Sequence, residues 1–422
     1  MLIASCTSYP LRVGNLPKVV DTILNQTCPP DKVIINLSKD EFPNYGLPNE
    51  VQAYIDSQDK VSVNWLEGNW KVYKKFLPIL KDYPDALICP FDDDILYPNT
   101  MFEEFMEMHK QFPNSPITGA DVKFQGLNQH CGCASMVQAK HFEGWEKYVT
   151  PSFINTVLSS DSFYSQLAAL NGYMYRPTKT DYYGIHKELA YNEVNPYSKG
   201  PKVKKSLRLL AEILGKSVYK HFSDDEKKPL CVLGAANCLR GKMITEEMLK
   251  WLKPNFNVFV LEHDGSTFEY AALKFLQNLI KTGTYKGPVF YLHTKGAYHV
   301  RRESEATRRM WKYEFVDRQR LYLETVGTDK AVLATPYSGI ISEKNRRFAE
   351  ENMVYPTYFP YENGWCANEA AVLRMKVIPS TNRYWFEMCM YDKTEVVGLR
   401  KHLINLKDIK SRLEVTEDIL TF

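Results

Sequence analysis

Three consecutive aspartates, Asp92, Asp93 and Asp94, close the short apolar run Ala86-Leu87-Ile88-Cys89-Pro90-Phe91, and Ile95-Leu96-Tyr97-Pro98 follows. A run of this length ending in clustered carboxylates reads as a buried parallel strand that delivers acid groups to the carboxyl edge of a sheet. Ligands of open α/β sheets bind at that edge. Two readings are open here. Carboxylates two apart in an irregular turn can share a hard divalent cation, which takes oxygen ligands and often keeps a substrate phosphate as another. The other reading is a solvated acidic turn.

The flanking sequence repeats the pattern. Leu2-Ile3-Ala4-Ser5-Cys6, Lys32 to Leu37 and Val61 to Leu66 are strand candidates, and Ala86 to Phe91 is the strand that feeds the aspartates. Between them, Lys18 to Asn25 carries Val19, Val20, Ile23 and Leu24 on one helical face, and Tyr73 to Leu80 reads as a helix. Thr100-Met101-Phe102-Glu103 has the spacing of a capping box. Strands alternating with helices imply parallel βαβ units, so the fold class expected is α/β. The alternation breaks near Asn195–Pro201. A helix with Lys202, Lys204, Lys205, Arg208, Lys216 and Lys220 is expected over 202–220, followed by the polar linker Ser223–Pro229. Its basic face reads as a solvated surface or as a peripheral membrane contact. Alternation then resumes at Leu230 to Gly234, Asn257 to Leu261 and Val289 to Leu292. A second capping box, Ser266-Thr267-Phe268-Glu269, opens a helix through Ile280, and a long polar helix is expected from about Arg302 to Thr325. Three segments follow: 1–200, a basic helix and linker at 201–228, and a second α/β domain at 229–422.

At 422 residues the chain exceeds one ordinary core, which agrees with two domains. A formal net charge of +3 does not argue for a nucleic-acid partner. Nine cysteines at irregular spacings give no disulfide framework and suit a reducing, cytoplasmic setting. Met1 to Ser5 enters a strand-like run without a basic n-region, so no signal peptide is expected. No stretch reaches the roughly 20 apolar residues of a spanning helix, so membrane work would be peripheral, at the inner face of the cell membrane.

Downstream of the aspartates, Ser159 to Gly172 reads as a helix with Asp161 in its first turn, where the helix dipole favours the ionised form. Asp161 can serve there as a cap or as a base. The small residues of Cys131-Gly132-Cys133-Ala134-Ser135 would let a sugar ring approach the backbone. Cys131 and Cys133 beside His130 lack a second Cys/His pair at zinc-like spacing.

In these residues the N-terminal half, about 1 to 195, resembles a bacterial branch of the family-two glycosyltransferases with the GT-A fold. The matching pieces are Thr7-Ser8-Tyr9-Pro10-Leu11-Arg12, Leu24-Asn25-Gln26-Thr27, Pro30-Asp31-Lys32-Val33-Ile34, Tyr73-Lys74-Lys75-Phe76-Leu77-Pro78 and Phe91 to Pro98. Asp161, followed by Ala168-Ala169-Leu170-Asn171-Gly172, completes the series. The resemblance implies two Rossmann-like domains, the first a GT-A nucleotide-sugar transferase fold. It implies an inverting, metal-dependent transfer from a nucleotide sugar, best guessed as UDP-linked, to a glycan or lipid-linked glycan acceptor in surface polysaccharide synthesis. Asp92, Asp94 and His186 would hold Mn²⁺ or Mg²⁺. Tyr9, Pro10, Arg12, Lys75, Asp92 and Asp93 would bind the donor, and Asp161 would deprotonate the acceptor hydroxyl. Where the family usually has a pair of acids at the base position, this chain has Ser160-Asp161.

In the second half, Tyr291-Leu292-His293-Thr294-Lys295-Gly296 resembles a His-Thr-Lys-Gly signature of bacterial polysaccharide-biosynthesis proteins, and Asn382 to Glu387 matches their C-terminal part. His293 and Lys295 at a strand end, with Arg301 and Arg302 nearby, could hold a diphosphate without metal. Glu262 and Asp264, flanking His263, could supply a base or an alternative metal site. Three functions stay open at this level: a bifunctional transferase, a single transferase with an acceptor-binding or assembly domain, and a non-catalytic carbohydrate-binding or scaffold protein.

Overall fold

The computed structural model describes residues 1–42, 46–124, 126–157, 160–185, 187–189, 210, 213–214, 216–221, 227–264, 269–295, 297, 302–340, 342–356, 358–380, 385–386, 390–400, 403–405, 417–418 and 421. The chain divides into two compact units, Met1–Leu214 and Gly215–Phe422. Both are mixed α/β with parallel strands.

The first unit is built on four parallel strands in the order Val61–Leu66, Lys32–Ser38, Leu2–Thr7, Leu87–Pro90. Ser5 sits level with Ile34 on one side and Pro90 on the other. Leu2–Thr7 and Lys32–Ser38 are nearly wholly buried, as central parallel strands covered on both faces must be. Helix Leu16–Leu24 starts with Pro17 in its first turn, where a missing N–H costs nothing, and buries Leu16, Val19, Val20 and Ile23. Helices Asn49–Asp56 and Met101–Gln111 bury Val51 and Ile55, and Met101, Phe102 and Phe105. Beyond the aspartates, Ile117–Thr118 pairs with Ser135–Met136 and Arg176–Pro177, and helix Ser160–Leu170 is buried along most of its length.

Three local expectations change. The helix expected over 73–80 is a tight 3₁₀ turn, Lys71–Lys75, followed by helix Leu77–Asp82. Pro78 is the reason: without an N–H it suits the first turn of a new helix rather than the interior of an old one. Thr100 caps no backbone N–H of helix Met101–Gln111. Its capping-box partner Glu103 instead accepts from Thr27 Oγ1 at 2.8 Å. The basic segment is a strand, not a helix, over Lys216–His221, antiparallel to Asn257–His263. The alternation of Ser217, Val218 and Tyr219 decides it, with Val218 fully buried in the sheet. Residues 202–209 lie outside the described residues.

The second unit has, among the described residues, a seven-stranded sheet in the order Lys216–His221, Asn257–His263, Leu230–Ala236, Val289–His293, Trp365–Ala367, Val332–Thr335, Glu395–Gly398. The three strands Asn257–His263, Leu230–Ala236 and Val289–His293 run parallel. Lys216–His221 and Trp365–Ala367 run against their neighbours. Helices Leu239–Asn255 and Tyr270–Lys281 follow the first and second of the parallel strands in sequence. The long polar helix expected from Arg302 is broken into Arg302–Lys312, a wide π-turn Tyr313–Asp317, and Gln319–Val326. The π-turn carries the fully buried Glu314, whose carboxylate is bound at 2.9 Å by Arg318, Arg400 and Tyr322. No described helix is long and apolar enough to cross a membrane.

Candidate active site

The site of the first unit grows from the carboxyl ends of its strands. Leu87–Pro90 delivers Asp92, Asp93 and Asp94, and the three acids have different partners. Asp93 turns inward, 5% exposed, and accepts from Ser8 Oγ at 2.6 Å and Arg12 Nη1 at 3.1 Å. Burial pushes its carboxyl up, and Ser8 and Arg12 pull it back toward the ionised form. Asp94 pairs with the same guanidinium at 2.9 Å. Asp92 pairs with Lys75, and its backbone N–H donates to Tyr97 Oη at 2.8 Å.

Arg12 is positioned by the turn that follows the first strand. The Tyr9 carbonyl accepts the N–H groups of Arg12 and Val13 at 2.9 and 3.0 Å, and the guanidinium lies 5.6 Å from the Tyr9 ring centre. Pro10 lies in the same turn and is exposed. One loop thus supplies Ser8, Tyr9, Pro10 and Arg12 beside the acidic turn.

Lys75 ends the 3₁₀ turn Lys71–Lys75, and buried polar side chains hold its backbone. Its carbonyl accepts from Ser5 Oγ and from Asn36 Nδ2 at 3.3 Å. Asn36 also donates to Ser5 Oγ at 3.0 Å and accepts from Asn64 Nδ2 at 2.9 Å. Three neighbouring strands each contribute one polar side chain to this relay. The Lys75 ammonium binds Asp92 and donates to the Gly132 carbonyl at 3.0 Å. Burial lowers its pKa, but Asp92, joined by Asp161 and Cys133, raises it further than burial lowers it, so the cation is held firmly. Its neighbour Lys74 is buried elsewhere, against Glu41.

Asp161 sits in the first turn of helix Ser160–Leu170. Its carboxyl is pushed up to about 6 by burial, with Lys75 opposing and Asp92 adding to the rise. The Gly132 N–H and Ser160 favour its ionised form. A Cβ on Gly132 would stand 3.0 Å from Asp161 Oδ1 and 3.3 Å from Lys75 Nζ. The small-residue segment therefore lets these two side chains approach the backbone. Behind it, His130 is buried, and burial followed by the Lys75 charge pushes it down to about 3, so it stays neutral. Cys131 and Cys133 are buried with their sulfurs 3.3 Å apart.

The metal question rests on donor chemistry. Asp92 and Asp94 offer hard oxygen donors from one turn, and burial, followed by the charge of Asp92, pushes the Asp94 carboxyl up. A divalent cation opposes that push, so the pair fits Mn²⁺ or Mg²⁺. Among the described residues no group of three or more His, Cys, Asp and Glu side chains is arranged to hold a metal. His186 lies outside the described residues.

In the second unit, Glu262 accepts from Tyr219 Oη at 3.0 Å, and Asp264 is exposed. His293 and Lys295 meet at Glu362 instead: His293 Nε2 lies 3.2 Å from its carbonyl oxygen and Lys295 pairs with its carboxylate. Arg308 donates to the Lys295 carbonyl at 2.7 Å. The Lys295 ammonium is committed to a carboxylate, which weakens it as a diphosphate anchor. Arg301 lies outside the described residues.

Ser5, Asn36 and Asn64 were not legible as site residues, since single polar side chains in apolar strands carry no motif. The one signal was their position, at the carboxyl ends of strands that read as buried.

No known family model and no curated protein matches this chain. Solved structures resemble it weakly. A mannosyltransferase from Pyrobaculum calidifontis, in complex with GDP-Man and Mn²⁺, aligns over 51% of this chain and 69% of its own at 14% identity and a TM-score of 0.35. Residues 1–349 of S. aureus TarS in complex with UDP-GlcNAc align over 67% of this chain and 81% of their own at 10% identity and a TM-score of 0.39. A further TarS structure aligns over 50% of this chain and 39% of its own at 12% identity and a TM-score of 0.34.

Proposed function

We propose that the first unit is an inverting glycosyltransferase that takes a sugar from a nucleotide-sugar donor, UDP-linked in the first instance, and passes it to a glycan hydroxyl. The observation that carries this reading is the convergence of the Asp161 carboxyl and the Lys75 ammonium on Gly132, beside the acidic turn Asp92–Asp94.

Each group has a task in such a transfer. Asp161 takes the proton from the acceptor hydroxyl as it attacks the anomeric carbon. A carboxylate titrating near 6 is a better match to that proton than an ordinary one, and it is still ionised at neutral pH. Lys75 holds Asp92 at the front of the turn and the Gly132 carbonyl at its back, which fixes the distance from donor to base. Asp93 with Ser8 and Arg12 anchors the turn from below. Asp92 and Asp94 would hold Mn²⁺ or Mg²⁺. When bound, the metal neutralises the negative charge that collects on the departing diphosphate. Tyr9 and Arg12 border the place where the nucleotide would lie. The sequence resemblance supports surface-polysaccharide synthesis as the setting and a lipid-linked or free glycan as acceptor.

The test is nucleotide release by the full chain from a panel of UDP-sugars with Mn²⁺. Activity that disappears in Asp92→Ala, and under a chelator, is expected. Undiminished release in both conditions would remove the donor-site reading.

A further inference from the structure

The two units share one topological feature. In the first, strand Leu2–Thr7 lies between Lys32–Ser38 and Leu87–Pro90. In the second, strand Leu230–Ala236 lies between Asn257–His263 and Val289–His293. The chain leaves each of these strands to one side and returns on the other, and the crevice outside the carboxyl ends at such a reversal is where open α/β sheets bind ligands. In the first unit the acidic turn occupies that place. In the second, Gly234, His293 and Thr294 do.

Around His293 lie three buried polar atoms that pair with nothing. The Tyr291 hydroxyl is one, 3.2 Å from where a Cβ on Gly234 would stand. Trp311 Nε1 is the second, on an indole whose ring centre is 5.4 Å from that of His293. A Cβ on Gly364 would collide with that indole, so the glycine is what lets the Trp311 ring pack against the backbone there. Asn363 Nδ2 is the third. Its Oδ1 already accepts from Trp365 Nε1 at 3.0 Å and Tyr391 Oη at 2.7 Å, which fixes the amide and leaves Nδ2 over. Tyr291, Trp311 and Asn363 are at most 1% exposed. Leaving a buried polar group unpaired destabilises the fold, and folded proteins pair the great majority. Glu362 and Asn363 also both hold left-handed backbone angles, φ 63° and 53°, which non-glycine residues rarely adopt in succession.

The chemistry of these groups selects the ligand. Trp311 and Asn363 offer donors, and Tyr291 offers a donor or an acceptor. Glu269, whose carboxylate is 4.0 Å from His293 Nδ1, offers acceptors. The rings of Tyr291, Trp311 and Trp365 supply apolar faces. Glu269 and Glu362 repel an anion, and Lys295 is spent on Glu362. Mixed donors and acceptors on aromatic faces, without net positive charge, match a neutral polyhydroxylated ring. We propose that the second unit has its own sugar site at this reversal, with Tyr291, Trp311 and Asn363 bonding ring hydroxyls beside His293. This stands independently of the transferase reading of the first unit.

Saturation-transfer NMR of the full chain with glucose, galactose, mannose and N-acetylglucosamine tests it. Transfer to at least one sugar is expected in the wild type and in Asp161→Asn, which alters only the first unit. Tyr291→Phe, which removes one hydroxyl and keeps the ring, should cut the signal at least fivefold. Asn363→Asp, which keeps Oδ1 and removes the orphan donor, should do the same. Without sugar, Tyr291→Phe should raise the Tm, because it deletes an unpaired buried group. No transfer to any sugar, equal transfer in both variants, or a lowered Tm in Tyr291→Phe would each overturn the proposal. A wild type inactive as a transferase but positive here would reject the first reading and leave this one standing.

Discussion

The Lys75 ammonium donates to the Gly132 carbonyl oxygen at 3.0 Å while pairing with Asp92, so one cation ties the acidic turn to the segment whose Gly132 N–H binds Asp161. Replacing it separates those two parts. Lys75→Met should lower kcat/KM about 100-fold or more, a cost of about 3 kcal/mol in transition-state stabilisation. It should also move the acid limb of the pH profile to higher pH, because Lys75 favours the ionised form of Asp161. An unmoved limb would mean that the lysine does not act on that carboxyl.

Asp161 itself gives a prediction with two signs. Its folded-state pKa of about 6 lies above the ordinary aspartate value. Transfer needs the ionised form, so kcat/KM should fall as the pH drops through about 6, and Asp161→Asn should retain donor binding and lose transfer. For stability the sign reverses. A raised carboxyl is a cost to the fold that is absent below about pH 4, where the folded and unfolded states are both protonated, and is complete above about pH 6. Asp161→Asn should therefore be more stable than the wild type at pH 7, by on the order of 1 to 3 kcal/mol, and not at pH 3.5. Denaturant titrations of both proteins at the two pH values measure the difference.

Gly132 separates steric from chemical effects. A methyl group there meets Asp161 Oδ1 at 3.0 Å and Lys75 Nζ at 3.3 Å, so one of the two must give way by a few tenths of an ångström. Gly132→Ala should reduce kcat at least tenfold with KM for the donor changed less than threefold, since a small misplacement of reacting groups is costly. A Tm close to that of the wild type, measured alongside, would show that the loss comes from the site.

What could be read from the sequence divides along physical lines. The strands Leu2–Thr7 and Lys32–Ser38 were legible because buried parallel strands are near-continuous apolar runs, and the half-buried edge strand Val61–Leu66 by the alternation of Val61, Val63 and Trp65 with polar residues. The place of Asp92 at a strand end followed from the same run. The partner of each acid did not, because Ser8, Arg12 and Lys75 reach it from segments about 17 to 85 residues away in sequence. The strand Lys216–His221 was misread because charged residues at helical spacing outweighed a short β-branched and aromatic alternation, whose pairing with Asn257–His263 only the fold supplies. The relay of Ser5, Asn36 and Asn64 joins three strands by register, which periodicity along one strand cannot reveal.

Arg12 provides the last prediction. It is the cation that faces both Asp93 and Asp94, at 3.1 and 2.9 Å, and Asp93 is buried. Arg12→Ala leaves Asp93 with Ser8 as its one remaining named partner and should destabilise the first unit by about 2–4 kcal/mol, because an uncompensated buried carboxylate remains. Arg12→Lys keeps the charge but cannot span both acids with one planar group, so it should recover part of the stability and little of the activity. The loss in Arg12→Ala should shrink as the pH falls, because Asp93, pushed up by burial, takes its proton at a higher pH than an ordinary aspartate and then needs no cation. Urea unfolding at pH 7 and pH 4.5 distinguishes this from a packing defect, which would cost the same at both.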